Sequence, residues 1–265
     1  MMVKLRDKFW FWGHPAGSHN SGYGLSQKSR MTPAEGAYYL GVRNMMMVCY
    51  RDQPKPPFEQ EAKSFDPLRE VVWSVVGDGS SSNQSDTLGN LNEILLLAKT
   101  HKNITGGIFD DFFKGQREKE YTPEQIHEVQ QKLHNEAPHP LDLWVVIYNQ
   151  QLDHLPIQDY LQSIDGFTFW TWLGKDLVHF EQNFQKLKQV APRQRILLGC
   201  YLYNYGEGRE MTTEQMSFQL EHYTKKVRSG EAEGIILLSN TVADLGFEGV
   251  EYVKQWLEVY GDELV

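Results

Sequence analysis

The chain has 265 residues, 40% of them hydrophobic and 23% charged, with a formal net charge of −9. That balance suits a globular protein with a sizeable core. It repels a phosphate backbone or an anionic membrane surface, and the sequence has no run of about 18 apolar residues that would span a bilayer. Nucleic acid and membrane are therefore not expected partners. The two cysteines, Cys49 and Cys200, sit in separate apolar runs, with neither metal-ligand spacing nor a disulfide framework. Near the N-terminus, Phe9-Trp10-Phe11-Trp12 is too short for the apolar core of a signal peptide. A cytoplasmic location is the expectation, with an export signal trimmed ahead of Met1-Met2 as the alternative.

Strand-like apolar runs alternate with helix-like segments from end to end. The first strand is expected over Lys8 to Gly13. Thr32-Pro33-Ala34-Glu35 then opens a helix, with a Thr cap, Pro at the first helical position and Glu three residues after the cap. A second strand is expected over Asn44 to Tyr50, a proline-rich loop at Pro54, Pro56 and Pro57, and a short helical stretch from Phe58 to Leu68. The third strand, Glu70 to Val76, leads through a Gly/Ser/Asn loop, Gly77 to Ser85, into a helix from about Thr87 to Thr100. The fourth strand carries Gly106-Gly107-Ile108-Phe109-Asp110-Asp111-Phe112-Phe113. A helix from Thr122-Pro123-Glu124-Gln125 to Glu136 precedes the fifth strand, Leu143 to Tyr148. A short helix, Ile157 to Ser163, connects to the sixth, Gly166 to Trp172, and a helix from Asp176 to Val190 to the seventh, Arg195 to Tyr203. Thr213 to Arg228 leads to the eighth, Gly234 to Ser239, and a last helix runs from Gly249 to Tyr260.

Near-continuous apolar strands separated by helices predict a parallel sheet covered on both faces. Eight such units without a linker or composition break predict one (β/α)8 barrel domain over residues 1–265. A doubly wound open sheet would carry a Gly-rich fingerprint after its first strand, and Gly13-His14-Pro15-Ala16-Gly17 is not one.

A barrel of this kind works at the C-terminal ends of its strands. There the sequence collects Trp12 and His14 from strand one, Asp52 from strand two and Asp78 from strand three. Strand four adds Asp110 and Asp111, strand five Tyr148 and Asn149, and strand six Trp170 and Trp172. Strand seven adds Tyr203 and, in the loop beyond it, Glu207; strand eight adds Asn240. Carboxylates among aromatic side chains are costly unless paired, hydrogen-bonded or shifted in pKa, so the Asp pair is either an anchor or a chemical centre. Period-two alternation sends one of the two into the pocket and the other toward the wall or rim. The aromatic mouth suits sugar rings, whose C–H faces stack on Trp and Tyr while amides and carboxylates bind the hydroxyls. Trp12, Tyr148, Trp170, Trp172 and Tyr203 are the candidate platforms; His14, Asp52, Asp78 and Asn240 are the candidate polar contacts. Asp78, in a Gly-Asp-Gly turn, also suits turn chemistry.

On the strand-four carboxylates, the aromatic mouth and Trp170-Thr171-Trp172, the chain resembles glycoside-hydrolase-type (β/α)8 barrels. The resemblance implies a catalytic acid or nucleophile at Asp110 or Asp111. The chain departs from the Asn-Glu pattern of one large group. It also has Phe112-Phe113 where a chitinase-like pattern needs a Glu. A galactosidase-like second Asp after strand six would be Asp176, where helix capping is the simpler role. Glycoside hydrolysis needs a second carboxyl group, with Glu207, Asp176, Asp78 and Asp52 as candidates. The expectation is thus a glycosidase without cofactor or metal, acting on a carbohydrate or other polyhydroxylated small molecule. The alternatives are a catalytically silent carbohydrate-binding barrel, or a metal-dependent isomerase, aldolase or hydrolase using His14, Asp52, Asp78 and Asp110. A phosphate-binding barrel is poorly supported, because Asn240 to Gly249 contains only Gly246 and Gly249.

Overall fold

The computed structural model describes residues 2–82, 87–113, 117–153 and 157–265. Positions 83–85 of the expected Gly/Ser/Asn loop lie outside the described residues. Eight parallel strands close into a barrel: β1 (Phe9–Gly13), β2 (Asn44–Met47), β3 (Glu70–Val76), β4 (Ile104–Phe109), β5 (Asp142–Tyr148), β6 (Gly166–Trp170), β7 (Arg195–Tyr201) and β8 (Gly234–Leu238). Each strand hydrogen-bonds to the next in sequence, and β8 returns to β1. The chain is a (β/α)8 barrel. Its strands are buried along almost their whole length, because the lumen takes one face and the outer helices the other.

The helices form where the sequence caps them. The Thr32 hydroxyl accepts the Glu35 N–H at 3.3 Å while the Glu35 carboxylate accepts the Thr32 N–H at 2.8 Å, opening helix Pro33–Leu40. Thr122 and Gln125 repeat the exchange before helix Pro123–Asn135, and Thr212 and Gln215 before Thr213–Arg228. Each reciprocal pair satisfies orphan N–H groups of a first turn. Ile126, Val129 and Leu133 then fall on one buried helix face, at the spacing that one side of a helix requires.

Three strands end earlier than their apolar runs. β2 stops at Met47, not Tyr50; β6 at Trp170, not Trp172; β7 at Tyr201, not Tyr203. The residues beyond are buried or half-buried around the mouth, with Tyr50 and Trp172 in the pocket wall, so hydrophobicity continues after the ladder stops. Tyr203–Asn204 instead pairs antiparallel with Arg209–Glu210 in a small hairpin beyond the C-terminal end of β7.

Two irregularities aim the strand ends. Between β3 and β4 the register slips, so that Ser74 faces Ile108 while Val76 faces Phe109. The extra residue in β3 is a bulge, a feature that bends a strand and re-aims the residues beyond it. The Ser74 hydroxyl donates to the Val76 carbonyl at 2.9 Å, and the Asp110 N–H donates to that same carbonyl at 3.0 Å. The second irregularity is Gly199 on β7, where a Cβ would collide with the Trp170 indole. A bare backbone there lets Trp170 lie flat against the neighbouring strand. Gly199→Val is therefore expected to cost about 1–3 kcal/mol by overpacking and to alter Trp170 fluorescence. Denaturant titration of both proteins checks this; an unchanged midpoint and spectrum would mean that the strand has room to spare.

Candidate active site

The C-terminal ends of the strands enclose a solvent-open pocket that admits water centres over about 60 Å³. Strand register builds its floor: Tyr148 lies beside Trp170, and Trp12 beside Leu238, which itself lies beside Tyr201. All five side chains line the pocket. The Trp12 and Trp170 rings meet edge to face at 5.2 Å, Trp170 reaches Tyr201 at 4.9 Å, and Trp172 packs on both Tyr148 and Tyr201. Such contacts add about 0.5–1.5 kcal/mol each beyond burial and hold the ring faces in fixed positions.

Asp110 and Asp111 both line this pocket, and both are buried. Period-two alternation does not separate them, because β4 ends at Phe109 and Asp111 takes a left-handed backbone, φ 48°. Asp is one of the few side chains that tolerate this region. The turn brings the second carboxylate onto the same face as the first. Asp111 is fixed there: Tyr148 Oη donates to Oδ1 at 2.7 Å and the Gly79 N–H to Oδ2 at 3.1 Å. Burial, followed by the negative charge of Asp111, pushes the Tyr148 phenol well above its ordinary range. Burial and both aspartates do the same to Tyr201. Both phenols therefore keep their protons and act as donors at neutral pH.

The opposite wall comes from the loop between β1 and helix Pro33–Leu40. His14, His19 and Tyr23 line the pocket from this loop, next to Tyr50 and Tyr205. The His14 and His19 rings lie 4.5 Å apart. His19 Nδ1 is 2.8 Å from Thr241 Oγ1, which is 2.6 Å from Ser239 Oγ. Desolvation lowers the His14 pKa to about 3, and desolvation together with His14 takes His19 well below its ordinary value. Both are neutral imidazoles at pH 7. His14 Nδ1 is buried and makes no hydrogen bond among the described residues.

Of the residues singled out from sequence, Trp12, His14, Asp78, Asp110, Asp111, Tyr148, Trp170 and Trp172 meet in this pocket. Asp52, Asn149, Asp176, Tyr203, Glu207 and Asn240 do not line it. Asn240 is fully buried, and its amide is spent on the β1 loop: Oδ1 accepts the His14 N–H at 2.9 Å, and Nδ2 donates to the carbonyls of His14 and Met31. Tyr203 donates to the Tyr23 carbonyl at 3.0 Å and stacks on Phe247. The Asp52 carboxylate accepts the Ser82 N–H and hydroxyl, each at 2.7 Å. Glu207 accepts the Lys175 N–H at 3.1 Å and pairs with Arg209 at 2.6 Å. Burial works to raise its pKa, but these partners outweigh it and the net shift is downward. Asp78 lines the pocket, yet its oxygens accept from Ser80, Ser81 and the Arg51 N–H. Asp176 lies in the 3-10 turn Gly174–His179, outside the lining. Among the described residues, no group of three or more His, Cys, Asp or Glu comes together as a metal site. Cys49 is buried near the carboxylates, and desolvation pushes its thiol up to about 12, so it stays a thiol.

His19 and Tyr23 were not singled out from sequence. The available signal was the length of the ordered loop from Gly13 to Thr32, since long structured loops at a catalytic face usually carry function.

No protein-family model and no curated protein matches the chain. Solved structures do. A family GH18 chitinase from Cycas revoluta, in complex with allosamidin, superposes with a TM-score of 0.61 at 11% identity, covering 93% of this chain and 98% of that one. The GH99 endo-alpha-mannosidase from Bacteriodes thetaiotaomicron gives 0.58 at 10% identity, covering 96% and 97%. The tryptophan synthase A-subunit of Pyrococcus furiosus gives 0.50 at 12% identity, covering 97% and 98%. At such identities the likeness is one of fold: the chain shares the (β/α)8 barrel of these two glycoside hydrolases and of the synthase subunit.

The buried histidines set a pH dependence of stability. Between about pH 6 and 4 the unfolded chain binds protons on His14 and His19 that the folded chain does not. Stability therefore falls on acidification through that window, by about 1.4 kcal/mol per pH unit for each linked proton. His14→Gln should flatten the slope by about one proton. Urea titrations at several pH values measure it, and equal slopes would mean that His14 protonates in the folded state.

Proposed function

We propose that the protein is a glycoside hydrolase in which Asp110 and Asp111 together supply both carboxyl groups. The observation that carries this reading is that two consecutive carboxylates share one aromatic pocket at the C-terminal face of the barrel. One protonates the leaving oxygen as the glycosidic bond breaks, the other stays ionised and faces the positive charge that develops on the sugar, and water then adds to the sugar and returns a proton to the first. Tyr148 holds Asp111 in place and donates at its oxygen. Trp172, half-buried, offers a ring face on which a sugar stacks, and the almost wholly buried Trp12 and Trp170 form the floor beneath it. The fold likeness to a chitinase and an endo-mannosidase supports the reading. The second carboxyl group is then the neighbour of the first, and Glu207 serves as a loop anchor through Lys175 and Arg209.

Asp110→Asn and Asp111→Asn should each lower kcat by about 100- to 10,000-fold on alkyl or oligosaccharide glycosides, and Asp111→Asn should also lower the thermal midpoint, because an amide has one acceptor oxygen for the two donors, Tyr148 and the Gly79 N–H. On dinitrophenyl glycosides, whose leaving group needs no proton, the variant at the general acid should recover most of its rate and the other should not. Assay against a panel of aryl glycosides checks both points. Undiminished turnover in both variants would refute the mechanism; sugar binding without turnover in the wild type would favour the silent barrel.

Tyr148→Phe removes the donor to Asp111 Oδ1 while keeping the ring. Loss of a hydrogen bond to a charged group costs about 1.5–3 kcal/mol. A fall in kcat of roughly 10- to 100-fold is expected, with KM little changed. A change confined to KM would assign Tyr148 to ground-state binding alone.

A further inference from the structure

One buried charge takes no part in the chemistry proposed above. Arg117 opens the short helix Arg117–Glu120, shortly after Asp111 in the chain, and is only 4% exposed. A buried guanidinium is costly unless hydrogen bonds compensate it. Arg117 spends its donors on the backbone of another loop: Nη2 donates to the Asp78 carbonyl at 2.6 Å and to the Ser81 carbonyl at 2.8 Å. Its Nη1 is buried and makes no hydrogen bond among the described residues. Asp78 and Ser81 are the two ends of a turn beyond β3, which the Ser81 N–H closes on the Asp78 carbonyl at 2.9 Å. The Asp78 carboxylate shapes this turn from within, accepting from Ser80 and Ser81. Gly79, inside the turn, faces the site. Its N–H donates to Asp111 Oδ2 at 3.1 Å, and a Cβ there would lie 3.3 Å from that same oxygen. The turn thus rests directly on one carboxylate of the pair, and Arg117 grips it from the segment that follows the pair. Apolar side chains in place of buried charges are often no less stable. What a guanidinium adds is a directed, charge-assisted hold on two carbonyl oxygens.

From this geometry we infer that Arg117 is a positioning residue. By clamping the Asp78–Ser81 turn it keeps the Gly79 N–H on Asp111 Oδ2, while Tyr148 donates to Oδ1, and so fixes the direction in which the Asp111 carboxylate faces a ligand. Arg117 does not itself line the pocket, so it acts through Gly79 rather than on the ligand. Its effect on catalysis rests on the glycosidase reading; its effect on Gly79 does not.

Amide hydrogen exchange at Gly79, followed by NMR on the whole protein, tests the clamp. Arg117→Gln and Arg117→Met remove it in two ways, so that a folding failure of one leaves the other; Arg117→Lys keeps a cationic donor. Asp111→Ala is the reference for a lost Gly79 bond. The wild-type Gly79 amide should exchange at least about tenfold more slowly than in Asp111→Ala. Arg117→Gln and Arg117→Met should bring it close to the Asp111→Ala rate, and Arg117→Lys should recover most of the protection. In the Asp111→Ala background, Arg117→Gln should have no further effect on Gly79. On a glycoside that the wild type cleaves, Arg117→Gln and Arg117→Met should lower kcat about tenfold or more with KM little changed, and Arg117→Lys should restore most of it. A wild-type Gly79 that exchanges as fast as in Asp111→Ala would overturn the inference. So would a Gly79 that stays protected in a folded Arg117→Gln or Arg117→Met protein whose thermal midpoint has dropped, which would make Arg117 structural alone. Lost protection with unchanged kcat would overturn its part in catalysis. A wild type that turns over no glycoside would count against the glycosidase reading, and the Gly79 comparison would still decide the clamp.

Discussion

The candidate site depends on the left-handed turn at Asp111, immediately after β4. A strand alternates its side chains, so two consecutive aspartates on a continuing β4 would part company. The ladder stops at Phe109, and the positive φ of Asp111 places both carboxylates in one pocket. A non-glycine residue in that region costs about 1–2 kcal/mol. Hydrogen bonds to a charged group are worth about 1.5–3 kcal/mol each, and Asp111 receives two, from the Tyr148 hydroxyl and the Gly79 N–H. The β3 bulge contributes by presenting the Val76 carbonyl to the Asp110 N–H. Three strands thus cooperate to hold one unfavourable backbone angle, as expected where local strain serves a site.

Around that turn the protein has built a pocket largely from rings. Tilted and edge-to-face ring contacts run from Trp12 through Trp170 to Tyr201, and from Tyr201 through Tyr205 to His19. Rings locked this way fix the floor and walls of the pocket at little further entropic cost. Their burial is also what keeps the Tyr148 and Tyr201 phenols protonated and the two histidines neutral. Packing and chemistry are therefore joined here: the apolar walls that would bind a sugar face also set which groups donate hydrogen bonds to the carboxylates.

Much of this was legible in the sequence. The Thr-Pro-x-Glu and Thr-Pro-x-Gln starts marked helices that the structure caps as expected, and the alternation of apolar runs with amphipathic segments specified the barrel. Strand ends were misread where the wall is aromatic. Hydrophobicity reports burial, and Trp172 lies half-buried in a loop and Tyr203 buried in the small hairpin, both outside the barrel ladder. The facing of the Asp pair was beyond reach, because a single dihedral angle decides it and Asp permits either value. His19 and Tyr23 enter through contacts with Thr241 and Tyr203, 222 and 180 residues away in the chain, and no local pattern encodes such a contact. Asn240 and Glu207 were polar residues in the right region whose side chains are spent on backbone groups and, for Glu207, on Arg209.

The central claim is that consecutive carboxylates act on one ligand. Its most direct test is a crystal structure of the protein with a bound monosaccharide or cationic imino sugar. The account predicts Asp110 and Asp111 oxygens both within hydrogen-bond reach of the same ring, with Tyr148 still on Asp111. A ring bound elsewhere in the mouth, or one carboxylate turned into the barrel wall, would contradict it.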